Sequence, residues 1–295
     1  MQRAIKRVDF AVIENRATAL ESGAIGRLID LVKDIGRDLI TQTEARGLTT
    51  ALADELKVKS SLKSKIRTIV HAVLKDAWNL GQEHARREVE KALALTAPET
   101  KLLNRDKIVL AAKSLTEQAA ELFLEQRSYQ IAGDVAENIR KRTVTTIFNG
   151  IKNSWPLADM VSRISEDLDS YSIPQLNTIV RTTTFEAINE ARYNFFSTPE
   201  LGGFVEALEY SAILDGRTTD LCRELDGHIH PADSEVWQTY RPPNHFNCRS
   251  LLIAVTALDT WQESDAPELL PAEGFFHREK KSLIIDTKKY TQSDL

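Results

Sequence analysis

The chain has 295 residues, a hydrophobic content of 42%, a charged content of 27% and a formal net charge of −5. This length allows one large domain or two modest ones, and the mild acidity argues against a general nucleic-acid coat protein, which would be basic. Two cysteines are too few for a disulfide framework. No apolar run approaches the roughly 20 residues of a membrane span. Asp9, Glu14 and Arg16 interrupt any signal-peptide core, so we expect synthesis in the cytosol without an export signal.

The first half of the chain predicts long helices that pack as a bundle. Apolar residues recur at helical spacing in two stripes, which is typical of helices that bury one face. The stripes contain Ile25, Leu28, Ile29, Val32, Ile35 and Leu39, then Ile66, Ile69, Val70, Val73, Ala77 and Leu80. The second helix should end before Pro98, because proline disfavours the helical conformation in the residue that precedes it. A third pattern runs from Asp106 to Gly150, with a break expected near Gly133. We predict a helical N-terminal region over residues 1–155.

A compact basic cluster lies between the first two predicted helices. It contains Lys57, Lys59, Lys63, Lys65 and Arg67. We favour a solvated loop and helix start here, and the alternative is a contact with the phosphate backbone of a nucleic acid. No aromatic residues interleave with the cluster, so a base-stacking surface is not expected.

From Pro156 onward the composition changes. We predict a short helix over residues 157–168 and a second helix, begun by Pro174, over residues 175–196. Two strands follow, Phe204–Leu214 and Leu251–Val255, which we expect to pair as a short antiparallel strand pair. The predicted fold class is therefore mainly α with a small β element (α+β). Residues 156–260 should form a compact domain, and residues 261–295 an extended C-terminal arm that buries its apolar residues, for example on a neighbouring subunit.

Both cysteines and three of the six histidines lie between the two predicted strands. Cys222, His245 and Cys248 are potential zinc ligands, with His228 or His230 available as a fourth. Without a CxxC pair, two other interpretations stay open. The cysteines could be small buried apolar residues, or a Cys–His nucleophile pair oriented by Asp215 or Asp226.

Two tight turns are predicted in the same segment. Asp215-Gly216-Arg217-Thr218 has the composition of a turn in which the Asp215 side chain accepts backbone N–H groups, and Asp226-Gly227 is a second such turn. Arg249 could pair with Asp215 or with Asp226.

These residues resemble the phage Mu protein F-like family of head-morphogenesis proteins, the MuF domain. The resemblance is carried by LDGRTTDLCRELDG, by PPNHFNCRSLL and by the preceding helix VRTTTFEAINEAR, and it covers about Asp159 to Val255. The matching positions are Arg181, Thr182, Thr184, Asn189, Arg192, Asp215, Arg217, Thr218, Cys222, Leu225, Asp226, Gly227, Pro242, Pro243, His245, Cys248 and Arg249.

The chain departs from the family pattern at two places. Many members carry a CxxC in the first element, whereas this chain has Thr219 at the earlier position. His228-Ile229-His230 replaces a Lys-Val-Phe-like trio. The first departure excludes a four-cysteine zinc site, and the second leaves zinc open, with Cys222, His230, His245 and Cys248 as the candidate ligands.

The resemblance implies a minor head protein of a tailed phage or prophage, without catalytic residues. Such a protein would lie inside the virion head near the portal and act in head morphogenesis, DNA packaging or ejection. Its implied partners are the portal oligomer, the major capsid or scaffolding protein, packaged double-stranded DNA and neighbouring copies of itself, with no membrane. Two alternatives stay open: an internal head protein that contacts DNA through residues 57–67, and a toxin- or transferase-related domain that uses Arg181, Thr182 and Glu186.

Overall fold

The computed structural model describes residues 9–46, 55–94, 105–273 and 275. Four long helices come first: α1, Phe10–Arg46; α2, Ser60–Ala94; α3, Arg105–Lys152; and α4, Leu157–Phe196. Helix α3 continues through Gly133, so the predicted break there is wrong. Pro98, the predicted stop after the second helix, lies outside the described residues. Among the helices that the structure describes, none is long and apolar enough to cross a membrane.

The C-terminal part of the chain contains a small antiparallel sheet. A 3-10 turn at Pro199–Leu201 leads into β1, Val205–Ser211, and then into α5, Asp220–Leu225. Strand β2, Ile229–Pro231, helix α6, Val236–Tyr240, and strand β3, Leu251–Thr256, follow. The strand order is β2-β1-β3. The mainly α fold with a small β element is confirmed, and the predicted pairing of the first and last strands is present. Strand β2 was not predicted.

The two helices predicted on either side of Pro174 form one continuous helix, so that prediction is wrong. The physical reason lies in the buried stripe. Met160, Ile164, Leu168, Leu176 and Val180 are all buried, and their positions keep a spacing of four or eight residues across the proline. Proline removes one backbone N–H from a helix, but burial of apolar residues on both sides of the proline outweighs that loss.

The described residues pack as two compact units, each assembled from separate segments of the chain. The helical unit contains residues 21–73 and 124–180, and the sheet unit contains residues 9–20, 74–123 and 181–275. The domain boundaries predicted from the sequence, at residues 155 and 260, stay predictions.

The helical unit is held together by close helix contacts. A Cβ atom at Gly36 would clash with the side chain of Leu168, and one at Gly150 would clash with Met160. Glycine at these positions lets the helix backbones approach side chains on neighbouring helices. Both predicted stripes contribute to the core of their units: Leu28, Val32, Ile35, Leu39, Ile66, Val70, Val73, Ala77 and Leu80 are buried.

The sheet unit has its own core, formed between the sheet and segments of α2 and α4. Apolar residues from both helices meet residues of the sheet and of the two short helices. The fully buried members include Ala85, Phe196, Leu208, Tyr210, Trp237, Cys248 and Leu252. All six residues of β3 are buried although it is an edge strand. Its continuous apolar run LLIAV is explained by that burial.

The described part of the C-terminal arm lies against its own chain. Ile229 and Ser264 exchange two hydrogen bonds of 2.9 Å beside β2. The Glu224 carboxylate accepts the backbone N–H of Glu268 at 2.5 Å. The Phe275 ring packs edge-on against Phe246 at 5.0 Å. The predicted contact of this arm with a neighbouring subunit stays a prediction for residues 276–295, which lie outside the described residues.

Candidate site at Cys222, His245 and Cys248

Side chains from two helices bind the backbone of the edge strand β3. Asn189 on α4 donates to the Ser250 carbonyl at 3.0 Å and accepts the Leu252 N–H at 3.1 Å. Arg192, one helical turn later, donates to the Leu252 carbonyl at 2.8 Å. These contacts explain why the Asn-x-x-Arg pair of the motif lies on one face of the helix. They supply partners for backbone groups that a neighbouring strand would otherwise satisfy.

Glu88 on α2 completes this arrangement. Its carboxylate accepts the Ala254 N–H at 2.7 Å and pairs with Arg192 at 2.5 Å. The two side chains are 1% and 0% exposed. A buried ion pair needs further hydrogen bonds to offset the desolvation of both charges. Here the backbone of β3 supplies those bonds, so the pair and the strand stabilise each other.

A network of arginines and acids holds the turn after β1. The predicted turn is present: the Arg217 N–H donates to the Asp215 carboxylate at 2.8 Å. Arg249 donates to Asp215 at 2.6 Å and not to Asp226, the other predicted partner. Its hydrogen bond, with that of Arg217, lowers the pKa of Asp215 well below its usual range. Glu14 on α1 lies 3.4 Å from Arg249, 3.7 Å from Arg181 and 3.9 Å from Arg217.

Further residues of the motif also bind backbone groups of the same unit. The Thr182 hydroxyl accepts the Asn247 N–H at 3.0 Å. The Asp226 carboxylate accepts the Ala212 N–H at 2.8 Å. Gly227 has a φ of 87°, a conformation that glycine adopts without strain. This turn brings β2 back antiparallel to β1.

The structure brings three of the four predicted zinc ligands together. Cys222 on α5 lies with its Sγ 3.1 Å from His245 Nε2 and 3.9 Å from Cys248 Sγ. The ligand atoms of the three residues lie within 4.8 Å of one another. His245 follows Asn244 and the Pro242-Pro243 pair, whose peptide bond is cis. Both cysteines are buried and free of any disulfide.

The Tyr210 hydroxyl lies beside both thiols, 3.2 Å from Cys222 Sγ and 4.0 Å from Cys248 Sγ. Asn244 donates to the same hydroxyl at 3.2 Å. Burial raises the pKa of Tyr210, so the phenol stays protonated. The hydrogen bond between the two cysteines lowers the pKa of Cys222 and raises that of Cys248, so one thiolate is favoured at Cys222.

His245 carries the third ligand atom. It is half-buried and lies at the edge of the cluster. Burial lowers the pKa of its imidazole, but the hydrogen bond and the charge of Cys222 outweigh that effect, and the net pKa is raised.

His230, the fourth predicted ligand, lies elsewhere in the unit. It is 2% exposed on β2, with its ring 5.7 Å from Trp237 and its Nδ1 3.5 Å from the Glu263 carboxylate. Among the described residues, the cluster of potential ligand atoms contains Cys222, His245 and Cys248 and no fourth His, Cys, Asp or Glu.

The basic cluster lies in the helical unit. Lys59 pairs with Asp38 at 2.5 Å, and Arg67 pairs with Glu125. Lys57, Lys63 and Lys65 are exposed. Two of the five cations therefore already face carboxylates, and contact with DNA through the cluster stays a prediction.

Sequence reasoning missed Glu14, Glu88 and Tyr210. Each acid lies on a long amphipathic helix. In the sequence of such a helix, a buried carboxylate cannot be told apart from a solvated one. Tyr210 lies within a predicted strand and carries no motif of its own. The alternation of β1 placed Tyr210 on the buried face with Leu208, but alternation does not reveal a polar partner.

Comparison with known proteins confirms the predicted resemblance. Residues 137–253 match the family model described as Phage Mu protein F like protein. Over 94 residues, the chain is 31% identical to the putative capsid assembly protein F of Escherichia phage Mu. This aligned segment covers 32% of this chain and 21% of that protein. The chain is 34% identical over 84 residues to the Mu-like prophage FluMu F protein of Haemophilus influenzae, covering 28% of this chain and 19% of that protein.

The matched segments thus span about a fifth of the length of these curated relatives. No solved structure gave a significant match. The residues that match the family model contain α4, strands β1 and β2, the start of β3 and the motif residues from Arg181 to Arg249.

Proposed function

We propose that this protein is a minor head protein of a tailed phage or prophage, which acts in head morphogenesis by binding the portal vertex. The observation that carries this proposal is the Mu protein F-like segment, residues 137–253. One matching relative is named a putative capsid assembly protein. We infer a similar role for this chain from the matched region.

The geometry of the motif supports a role in assembly. Asn189, Arg192, Asp215 and Arg249 all bind groups of their own chain, with the distances given above. Arg181 and Thr182, two of the three residues of the alternative transferase hypothesis, face Glu14 and the Asn247 backbone. The motif therefore uses its polar groups to fix the shape of the sheet unit. A rigid shape is what a repeated contact in a closed assembly requires.

The sheet unit also presents large apolar side chains to solvent. Phe246 is 62% exposed and Leu270 is 63% exposed. Exposed apolar side chains that form a contiguous patch mark protein contact surfaces. We propose that such residues meet the portal oligomer inside the head, with copies of the chain arranged around it. Contacts with the major capsid or scaffolding protein and with packaged DNA belong to the same proposal.

A gene deletion tests the role in head morphogenesis. Deleting the gene from the phage or prophage that carries it should abolish or strongly reduce DNA-filled heads, seen by electron microscopy, while tails still form. A plasmid copy of the wild-type gene should restore plaque formation. Plaque titre and head counts equal to those of the parent phage after a clean deletion would refute the proposed function.

A matched pair of variants sharpens this test. Glu88→Ala removes the buried partner of Arg192, whereas Glu90→Gln changes an exposed acid of the same helix that lies 3.7 Å from Arg86. Only Glu90→Gln should complement the deletion. Equal complementation by both variants would show that the fixed shape of the sheet unit is not what head assembly requires.

A further inference from the structure

We propose that Cys222, His245 and Cys248 bind one zinc ion through three protein ligands, with the fourth coordination position completed by water. This inference is independent of the role in head assembly. It differs from the set expected from sequence in leaving out His230, which packs against Trp237.

The spacing of the ligand atoms fits a tetrahedral ion. Zinc binds sulfur at about 2.3 Å and imidazole nitrogen at about 2.0–2.1 Å, which sets ligand atoms roughly 3.5–3.8 Å apart at tetrahedral angles. The Sγ atoms of Cys222 and Cys248 are 3.9 Å apart, and Cys222 Sγ lies 3.1 Å from His245 Nε2. The ligand atoms of all three residues lie within 4.8 Å of one another, so shifts of about an ångström or less would bring them onto one ion.

The imidazole of His245 is already oriented for this role. Its Nδ1–H donates to the backbone carbonyl of Phe246 at 2.7 Å. This bond fixes the ring and, in the neutral imidazole, leaves Nε2, the atom 3.1 Å from Cys222 Sγ, free to bind a metal. Histidine ligands of zinc almost always donate their second ring nitrogen to a carbonyl or a carboxylate in this way.

The surrounding side chains suit a thiolate-bound ion. The Tyr210 hydroxyl lies 3.2 Å from Cys222 Sγ, where it can donate to a thiolate. Asn244 is fully buried and holds that hydroxyl through its amide N–H, while its Oδ1 has no hydrogen-bond partner among the described residues. Because His245 is half-exposed, its side of the cluster gives an ion access from solvent.

Two other states of the cluster are chemically reasonable. One is a metal-free trio in which the thiols and the imidazole bind only one another. The other is a Cys222–Cys248 disulfide, which would require the sulfur atoms to approach from 3.9 Å to about 2.05 Å. Each state predicts a different result in the same experiment.

The test uses the full chain, expressed with zinc in the medium, purified under reducing conditions and dialysed. Elemental analysis and native mass spectrometry should give about one zinc per chain. Replacing the metal with Co²⁺ should produce thiolate-to-cobalt charge-transfer absorption. Cys222→Ser and Cys248→Ser should lose most of the zinc, whereas His230→Gln should keep it.

The wild-type protein keeps the proposal falsifiable even where a cysteine variant does not fold. A strong chelator should lower the unfolding temperature of the wild-type chain, because a metal that binds only the folded state stabilises it. Reduced, folded protein without zinc and without cobalt absorption would overturn the proposal. So would an intact mass about 2 Da lower than that of the reduced chain, the signature of a disulfide. Zinc retained by both cysteine variants would overturn the assignment of the ligands.

Discussion

The guanidinium of Arg192 and the carboxylate of Glu88 form an ion pair of 2.5 Å inside the sheet unit, where their side chains are 0% and 1% exposed. The same two groups also bind the Leu252 carbonyl and the Ala254 N–H of β3. A helix residue of the motif and an acid 104 positions earlier therefore replace the neighbour that an edge strand lacks.

Glu88→Ala should lower the free energy of unfolding by about 3–5 kcal/mol, because it leaves Arg192 as an uncompensated buried charge. Glu90→Gln on the same helix should change it by less than about 1 kcal/mol, since that acid is exposed. Urea denaturation followed by circular dichroism measures both values. Equal stability of the two variants would contradict the role of the buried pair.

A double substitution separates the ion pair from the binding of the strand. If the pair served only to neutralise its own charges, Glu88→Met combined with Arg192→Met would be nearly neutral. We expect instead a loss of about 2 kcal/mol or more, because the Leu252 carbonyl and the Ala254 N–H lose their partners. A double variant as stable as the wild type would show that β3 does not depend on these side chains.

Asn189→Ala should expose β3 locally. The substitution removes the acceptor of the Leu252 N–H and the donor to the Ser250 carbonyl. We expect a loss of about 1–3 kcal/mol per unsatisfied group and faster hydrogen exchange at the Leu252 amide. The control is Asn194→Ala, since Asn194 donates to the Glu190 carbonyl within its own helix. Unchanged exchange at Leu252 in the Asn189 variant would contradict this interpretation.

Gly81→Ala should destabilise the sheet unit, against the usual effect of this substitution in a helix. A Cβ at Gly81 would lie 2.8 Å from the Cα of Ile188 and closer still to its carbonyl oxygen. The backbones of α2 and α4 would have to separate, which typically costs about 1–3 kcal/mol. Gly133→Ala meets no atom within 4 Å and should stabilise by about 0.5–1 kcal/mol. Thermal unfolding of the pair shows whether the two signs differ as expected.

Asp215 should make stability depend on pH in the acid range. Hydrogen bonds from Arg249 and from the Arg217 N–H lower the pKa of Asp215 in the folded state. Its contribution is therefore complete above the unfolded pKa of about 3.9 and is lost as the pH falls through the lower folded pKa. From about pH 5 to pH 2 the wild type should lose more stability than Asp215→Asn. Equal acid slopes for the wild type and Asp215→Asn would contradict this account.

Local patterns predicted the long helices and the pairing of β1 with β3, because periodicity depends only on neighbouring residues. Strand β2 was missed because three residues ending in Pro231 show no alternation. Its place is set by the turn at Gly227 and by hydrogen bonds with Ser264. The helix through Pro174 was missed because the stripe from Met160 to Val180 outweighs the local preference of proline.

Only part of the candidate site was predicted from the sequence. Cys222, His245 and Cys248 stood out because thiols and imidazoles are rare in this chain. Glu14 did not, since its contact with Arg249 spans 235 positions and no local pattern reveals it. His230 was proposed as a ligand from its residue type alone, and its place on β2 against Trp237 depends on the fold of the whole unit.

Binding to the portal tests the central claim most directly. The full chain and the portal protein of the same phage should be co-expressed, purified through a tag on the portal and analysed by native mass spectrometry. We predict a complex that contains the portal oligomer with several copies of this chain, weakened by Phe246→Ser and Leu270→Ser together and unchanged by Glu90→Gln. A folded chain that remains free of the portal oligomer at micromolar concentrations of both would contradict the account.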